Sequence, residues 1–139
     1  IGVVTQPVLP RAILLTNLID QEEARAKSSQ EMDEMLEDTA QVFNRFGQVE
    51  QSYIVKEKMS EKVGGQEGKL VLSNMKYLHI SSVELGAIVL VYIDSDAAEK
   101  AAYNMQGRKY DNREIHIQSI SNEVCLQVFG LKVENRPPI

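Results

Sequence analysis

The chain has 139 residues, 43% of them apolar, enough to fill one core and too few for two domains of ordinary size. Twenty acidic against fifteen basic side chains give a formal charge of -5, which opposes strong nonspecific attraction to phosphate backbones and favours basic partners; a nucleic-acid role would need a local basic patch. The single Cys125 excludes an internal disulfide, no Asn-x-Ser/Thr sequon occurs, and no apolar run approaches the roughly 20 residues that span a bilayer, so the chain reads as intracellular and soluble, without membrane contact.

Residues 1–10 begin at Ile1 without a Met and carry neither a charged n-region nor a cleavage-like signal, so they read as a linker in a fragment of something longer. Ala12-Ile13-Leu14-Leu15-Thr16-Asn17-Leu18 is an apolar run of strand length. Residues 21–27 are charged and unpatterned. Ser28-Ser29-Gln30-Glu31 then supplies the Ser-x-x-Glu pairing of a capping box, which satisfies two orphan donors at a helix start. Met32, Leu36, Thr39, Phe43 and Phe46, with Met35 and Val42 beside them, follow the spacing of one buried helical face, and Gly47 is placed to end that helix in a left-handed conformation.

Residues 49–58, holding Tyr53, Ile54 and Val55, predict a second strand. Residues 60–68 are rich in Gly and charge and read as a loop; Leu70-Val71-Leu72 and Tyr77-Leu78-His79-Ile80 are compatible with an added hairpin. A structureless connection as long as residues 60–84 is uncommon in a compact domain, so this segment is expected to fold onto the sheet or to bind something of its own. Residues 86–93 are the most strand-like run of the chain. Asp94-Ser95-Asp96 offers helix caps, Ala98, Ala101, Ala102 and Met105 form an apolar stripe, and Gly107 ends this second helix. Ile115-His116-Ile117-Gln118-Ser119 alternates as a final strand should.

Strand-helix-strand repeated twice predicts an α+β, ferredoxin-like split βαβ domain over residues 11–120: a four-stranded antiparallel sheet with two helices on one face, and an insertion at residues 60–84. Residues 121–139 form a C-terminal extension whose Val124, Leu126, Val128 and Phe129 are expected to cover the free sheet face, since exposed apolar patches are normally buried or used. Arg136-Pro137-Pro138 resembles a linker.

Catalysis and metal binding find little support. His79 and His116 lack the spacing of helical ligands, and Cys125 has no thiol near it in sequence. Gly64-Gly65-Gln66-Glu67-Gly68-Lys69-Leu70 lacks the Gly-Lys-Ser/Thr order of a phosphate loop. No cofactor, metal or enzymatic activity is expected.

Ile13-Leu14-Leu15-Thr16-Asn17-Leu18 and Leu85-Gly86-Ala87-Ile88-Val89-Leu90-Val91-Tyr92 resemble the two short strand motifs of the RNA recognition motif (RRM). An RNA-binding member would stack bases on aromatic rings at the places held here by Leu14, Ala87 and Val89, each such stack being worth about 1–3 kcal/mol. All of these positions are aliphatic. That departure, joined to the acidic first helix and to Gly107-Arg108-Lys109-Tyr110, is similar to one subfamily, the UHM domains, protein-binding relatives found in splicing factors.

The resemblance covers roughly residues 11–119 and implies that an Arg-x-Phe-type loop and helical carboxylates grip one Trp of a basic peptide from another splicing factor, in the nucleus. Carried over, the loop arginine is Arg108, followed by Lys109, and the ring is Tyr110, where the family usually has Phe. Asp38 of the Glu37-Asp38 pair matches an acidic position, with Glu34 and Glu31 about one and two turns before it and Phe43 beyond. Val42 stands where a second acidic residue often pairs with the loop arginine, which leaves Glu34, Asp38 or another carboxylate to Arg108. RNA binding is expected to be weak or absent, and the domain to be a monomer.

Plainer readings stand beside these. An acidic first turn also favours the helix dipole by about 0.3–1 kcal/mol, and Gly-Arg-Lys-Tyr is also an ordinary surface turn. The alternative function is an RRM of a splicing or DNA-repair factor that binds single-stranded RNA or DNA through Lys56, Lys58, Lys62, Lys69 and Arg113 in its loops. A subunit or dimerisation domain using the sheet face is a third.

Overall fold

In a computed structural model of the chain, which describes residues 9–57, 61–63, 66–68 and 83–134, two strand-helix-strand units interleave. The first is β1 (Ala12–Thr16), α1 (Gln21–Ala26), α2 (Ser29–Phe43) and β2 (Val49–Ile54); a short pair β3 (Glu61–Val63) and β4 (Gln66–Gly68) follows. The second is β5 (Ile88–Tyr92), α3 (Ser95–Met105), β6 (Lys109–Tyr110), β7 (Arg113–Glu114) and β8 (His116–Ile120), and the chain ends in α4 (Asn122–Phe129). The main sheet runs β2-β5-β1-β8 with every neighbour antiparallel, the arrangement expected of the split βαβ pattern.

Strand alternation divides the apolar residues between two faces. Ile13 and Leu15 of β1 and Ile88, Leu90 and Tyr92 of β5 join Met32, Phe43, Ala98 and Ala101 beneath the helices α2 and α3. Ala12 and Leu14 of β1 and Val89 and Val91 of β5 face the other way, where Val124, Cys125, Val128 and Phe129 of α4 cover them. The domain therefore has three layers. Tyr92 reaches across the first interface to give its hydroxyl proton to the Phe43 carbonyl at 2.7 Å, and burial raises the pKa of that hydroxyl.

Local chemistry explains the element ends. Ser28 and Glu31 form the reciprocal capping box that the sequence predicts, so α2 begins where two orphan N–H groups find side chains. Gly47 closes the turn after α2 at φ 150° and ψ 168°, a conformation distinct from the left-handed one expected, and a Cβ there would stand 2.4 Å from Cβ of Ala97. Only glycine lets α3 approach so closely. Asp94 caps α3 by accepting from the Ala97 amide, and Ser121 caps α4 by accepting from Val124.

Three further expectations change. Residues 21–27, read as unpatterned, hold the helix α1, capped by Asp20. Within residues 60–68, read as a loop, β3 and β4 pair through Glu61↔Gly68, Lys62↔Glu67 and Val63↔Gln66. Leu126, expected to help cover the sheet, is exposed, because α4 turns only Val124, Cys125, Val128 and Phe129 inward. The hairpin considered for Leu70-Val71-Leu72 and Tyr77-Leu78-His79-Ile80 lies outside the described residues.

Candidate peptide-binding slot

Leu14, Ala87 and Val89, the positions where an RNA-stacking ring would stand, form the floor under α4. Leu14 is the register partner of Val89, both are at most 3% exposed, and the Tyr53 and Phe129 rings meet at 5.9 Å over this layer. The helix-bearing side, by contrast, has an opening at its corner.

That opening depends on a small hairpin. Gly107, at φ 79°, turns the chain out of α3, its amide donating to Ile115 O at 3.0 Å while the Arg108 carbonyl accepts from Ile115 N at 2.8 Å. Strands β6 and β7 then pair through Lys109↔Glu114 and Tyr110↔Arg113, joined by Asp111 and Asn112 at φ 49° and 67°. Two successive left-handed residues make a turn whose twist suits a two-residue hairpin, and Asp and Asn are among the few side chains that tolerate it. Tyr110, half-buried, is thereby set against the helix-side core.

Beside its ring lies a slot of about 240 Å³ lined by Leu18, Ile19, Glu23, Lys27, Glu31, Glu34, Met35, Asp38, Tyr110 and Asp111. Glu31, Glu34 and Asp38 stand at i, i+3 and i+7 of α2 and so share one face. Glu23, Glu31, Glu34, Asp38 and Asp111 set five carboxylates against the one ammonium of Lys27. Glu31 accepts from the Ser28 amide at 3.1 Å, and this bond, then the one with the Ser28 hydroxyl, holds its carboxyl below the usual range, so it is charged at neutral pH. The slot is smaller than the roughly 300–1,000 Å³ of small-molecule pockets, and it sets the apolar side chains of Leu18, Ile19 and Met35 beside a rim of negative charge.

The structure thus brings together Tyr110, Glu31, Glu34 and Asp38, and it separates four other candidates from them. Glu37 turns away toward β2, where it lines a different cavity with Asp33, Leu36 and Val49, because helical rotation carries adjacent residues about 100° apart. Phe43 is 2% exposed in the helix-sheet core, edge-on to Phe46 with ring centroids 6.3 Å apart, and cannot touch a peptide in the slot. Arg108 is exposed and folds back on α3, its Nε donating to the Asn104 carbonyl at 2.8 Å rather than meeting Glu34 or Asp38. Lys109 is exposed, and strand alternation places it on the opposite face of β6 from Tyr110.

Sequence reasoning did not reach Leu18, Ile19, Glu23, Lys27, Met35 or Asp111 as slot residues. A signal for Glu23 and Lys27 was present: Asp20, followed by two glutamates, is a cap with an acidic first turn.

Of the basic residues of the nucleic-acid alternative, the described side chains of Lys56 and Arg113 are held by separate partners. Lys56 Nζ is 2.8 Å from Asp33 Oδ1 and 2.7 Å from Ser29 Oγ, so its charge is spent on the start of α2. Arg113 is engaged by Asn17, Lys62 lies in β3, and Lys58 and Lys69 fall outside the described residues.

Strand order, register and the two interleaved units define an RRM-like α+β domain whose sheet is covered on both faces. No protein-family model matches the chain, and no curated protein matches it in sequence. Among solved structures, it is similar to the RRM1 domain of Hrb1 determined by NMR, with 14% identity, 87% of this chain and 90% of that chain covered, and a TM-score of 0.47.

Proposed function

We propose that this domain is a protein-binding adaptor: it receives a Trp-containing basic peptide of a partner protein in the slot beside Tyr110 and performs no chemistry. The observation that carries the reading is that the Tyr110 ring and the carboxylates of Glu31, Glu34 and Asp38 line one cavity. A tyrosine ring offers an indole an aromatic partner worth about 0.5–1.5 kcal/mol beyond area burial, and carboxylates around it attract the lysines and arginines that flank the indole. Closure of the sheet by α4 supports the same reading, since the helix covers Leu14, Ala87 and Val89, the places where bases would stack, and its Phe129 occupies the ring of Tyr53. The likeness to UHM domains extends the proposal to a pre-mRNA splicing factor acting in the nucleus, with the partner another splicing factor.

The chain contains no Trp, so the peptide's own indole emission reports binding without interference. Titrated with this protein, a lysine- and arginine-rich peptide carrying one Trp will show a blue-shifted emission. Tyr110→Ala will weaken that binding about two- to tenfold, the equivalent of one aromatic pair. Asp38→Lys will weaken it several-fold at low salt, with the difference shrinking at about 0.5 M salt as screening grows. An unshifted indole at high micromolar protein, alongside tight binding of single-stranded RNA, would sink the adaptor reading in favour of the nucleic-acid one.

A further inference from the structure

Strands β6 and β7 contribute two residues each, and a hairpin of that size has little stability of its own. Yet it carries the ring on which the proposed slot depends. Its anchor is Asn17, the residue after β1. Arg113, directly across from Tyr110, sends Nη2 to Asn17 Oδ1 at 2.6 Å and Nε to the Asn17 carbonyl at 3.3 Å, while Asn17 Nδ2 donates to the Glu114 carbonyl at 2.8 Å. Three bonds therefore join one residue to both positions of β7.

Asn17 is itself held in an uncommon state. It has φ 63°, the left-handed conformation that Asn tolerates better than most residues, and its amide donates to Glu84 Oε1 at 2.7 Å. The other oxygen of Glu84 accepts from Gln21 Nε2 at 3.1 Å, which fastens the start of α1 to the same point. Leu18 and Ile19, the next two residues, form part of the slot floor. Asn17 thus links the ring wall to the floor, and Gln21 links both to the helix that bears Glu23 and Lys27.

We infer that Arg113 and Asn17 are positioning residues: by tying β7 to the end of β1 they hold Tyr110 at the mouth of the slot, so that binding does not have to organise the hairpin first. The inference rests on the peptide-binding reading above. Arg113 touches no ligand in this arrangement; it acts through Tyr110, and its role is set by the forked geometry of the guanidinium, which one ammonium cannot reproduce.

The test uses the whole chain and the same single-Trp basic peptide. Arg113→Ala and Asn17→Gly, the latter keeping the left-handed backbone accessible while removing the side chain, will each weaken binding about three- to tenfold, and the double variant will be no weaker than the worse of the two. Arg113→Lys will recover only part of the loss. In a Tyr110→Ala background Arg113→Ala will have no further effect. In the free protein, Arg113→Ala will shift the Tyr110 ring resonances in NMR spectra and leave those of Tyr53, packed under α4, in place; a general loss of structure would move both. If Tyr110→Ala weakens binding while Arg113→Ala binds like the wild type, or if the two losses add, the positioning role is overturned and the slot stands. If Tyr110→Ala itself binds like the wild type, the slot reading fails, and the positioning role with it.

Discussion

Arg11→Met will lower the unfolding free energy by about 3–5 kcal/mol in urea denaturation, because a buried guanidinium loses its hydrogen bonds to a carboxylate and three carbonyls, at about 1 kcal/mol each. Arg11 is 2% exposed, and its Nη1 serves Glu50 Oε2 at 2.8 Å, the Tyr92 carbonyl at 3.0 Å and the Ile93 carbonyl at 3.1 Å. Its Nη2 reaches the Glu134 carbonyl at 2.6 Å, beyond the end of α4. Methionine fills much of the volume and offers none of the donors, so the Glu50 carboxylate and the three carbonyls each lose their bond to the guanidinium. The double variant Arg11→Met with Glu50→Gln should recover part of the loss, because the carboxylate charge that Arg11 compensates is removed with it. A loss under about 1 kcal/mol would mean that solvent already serves these acceptors.

Phe129→Ala will cost a similar amount, about 3–5 kcal/mol, as expected for emptying a buried aromatic site. Phe129 is 6% exposed, tilts against Tyr53, and ends α4, the helix that packs over Leu14, Val89 and Val91. The loss will appear as a lower denaturation midpoint with the slope retained, since the same surface is exposed on unfolding. Loosening the cover in this way uncovers an aliphatic floor and the ring of Tyr53, so any gain in single-stranded RNA affinity will not exceed one stacked base, about 1–3 kcal/mol. A variant as stable as the wild type would show that α4 rests on the sheet without contributing to the fold.

Much of this architecture was legible because it rests on strong periodic signals. The short apolar runs at Ile13-Leu14-Leu15 and Ile88–Tyr92 identified the central strands, and Ser28-x-x-Glu31 marked the start of α2 to the residue. Helix α1 escaped because its six residues bury only Ala24, so no apolar stripe forms. The β6–β7 hairpin escaped because two-residue strands have no period to read; the Asp111-Asn112 pair was its one clue.

The spacing of Glu31, Glu34 and Asp38 placed them together on one face, whereas Glu37 and Phe43 lie apart from them, because a run of carboxylates wraps around a helix and only packing decides which side chain faces which neighbour. Arg108 was out of reach of pattern altogether. Its direction depends on how the chain leaves Gly107, and a backbone carbonyl on α3 receives it.

Strand β5 lies between β2 and β1, and all five of its residues are buried, three beneath the helices and two beneath α4. Detachment of α4 alone would leave its helix-side packing and its paired neighbours intact, so amide protons along Ile88–Tyr92 would trade for deuterium only when the whole molecule opens, and their exchange rate would read out global stability directly.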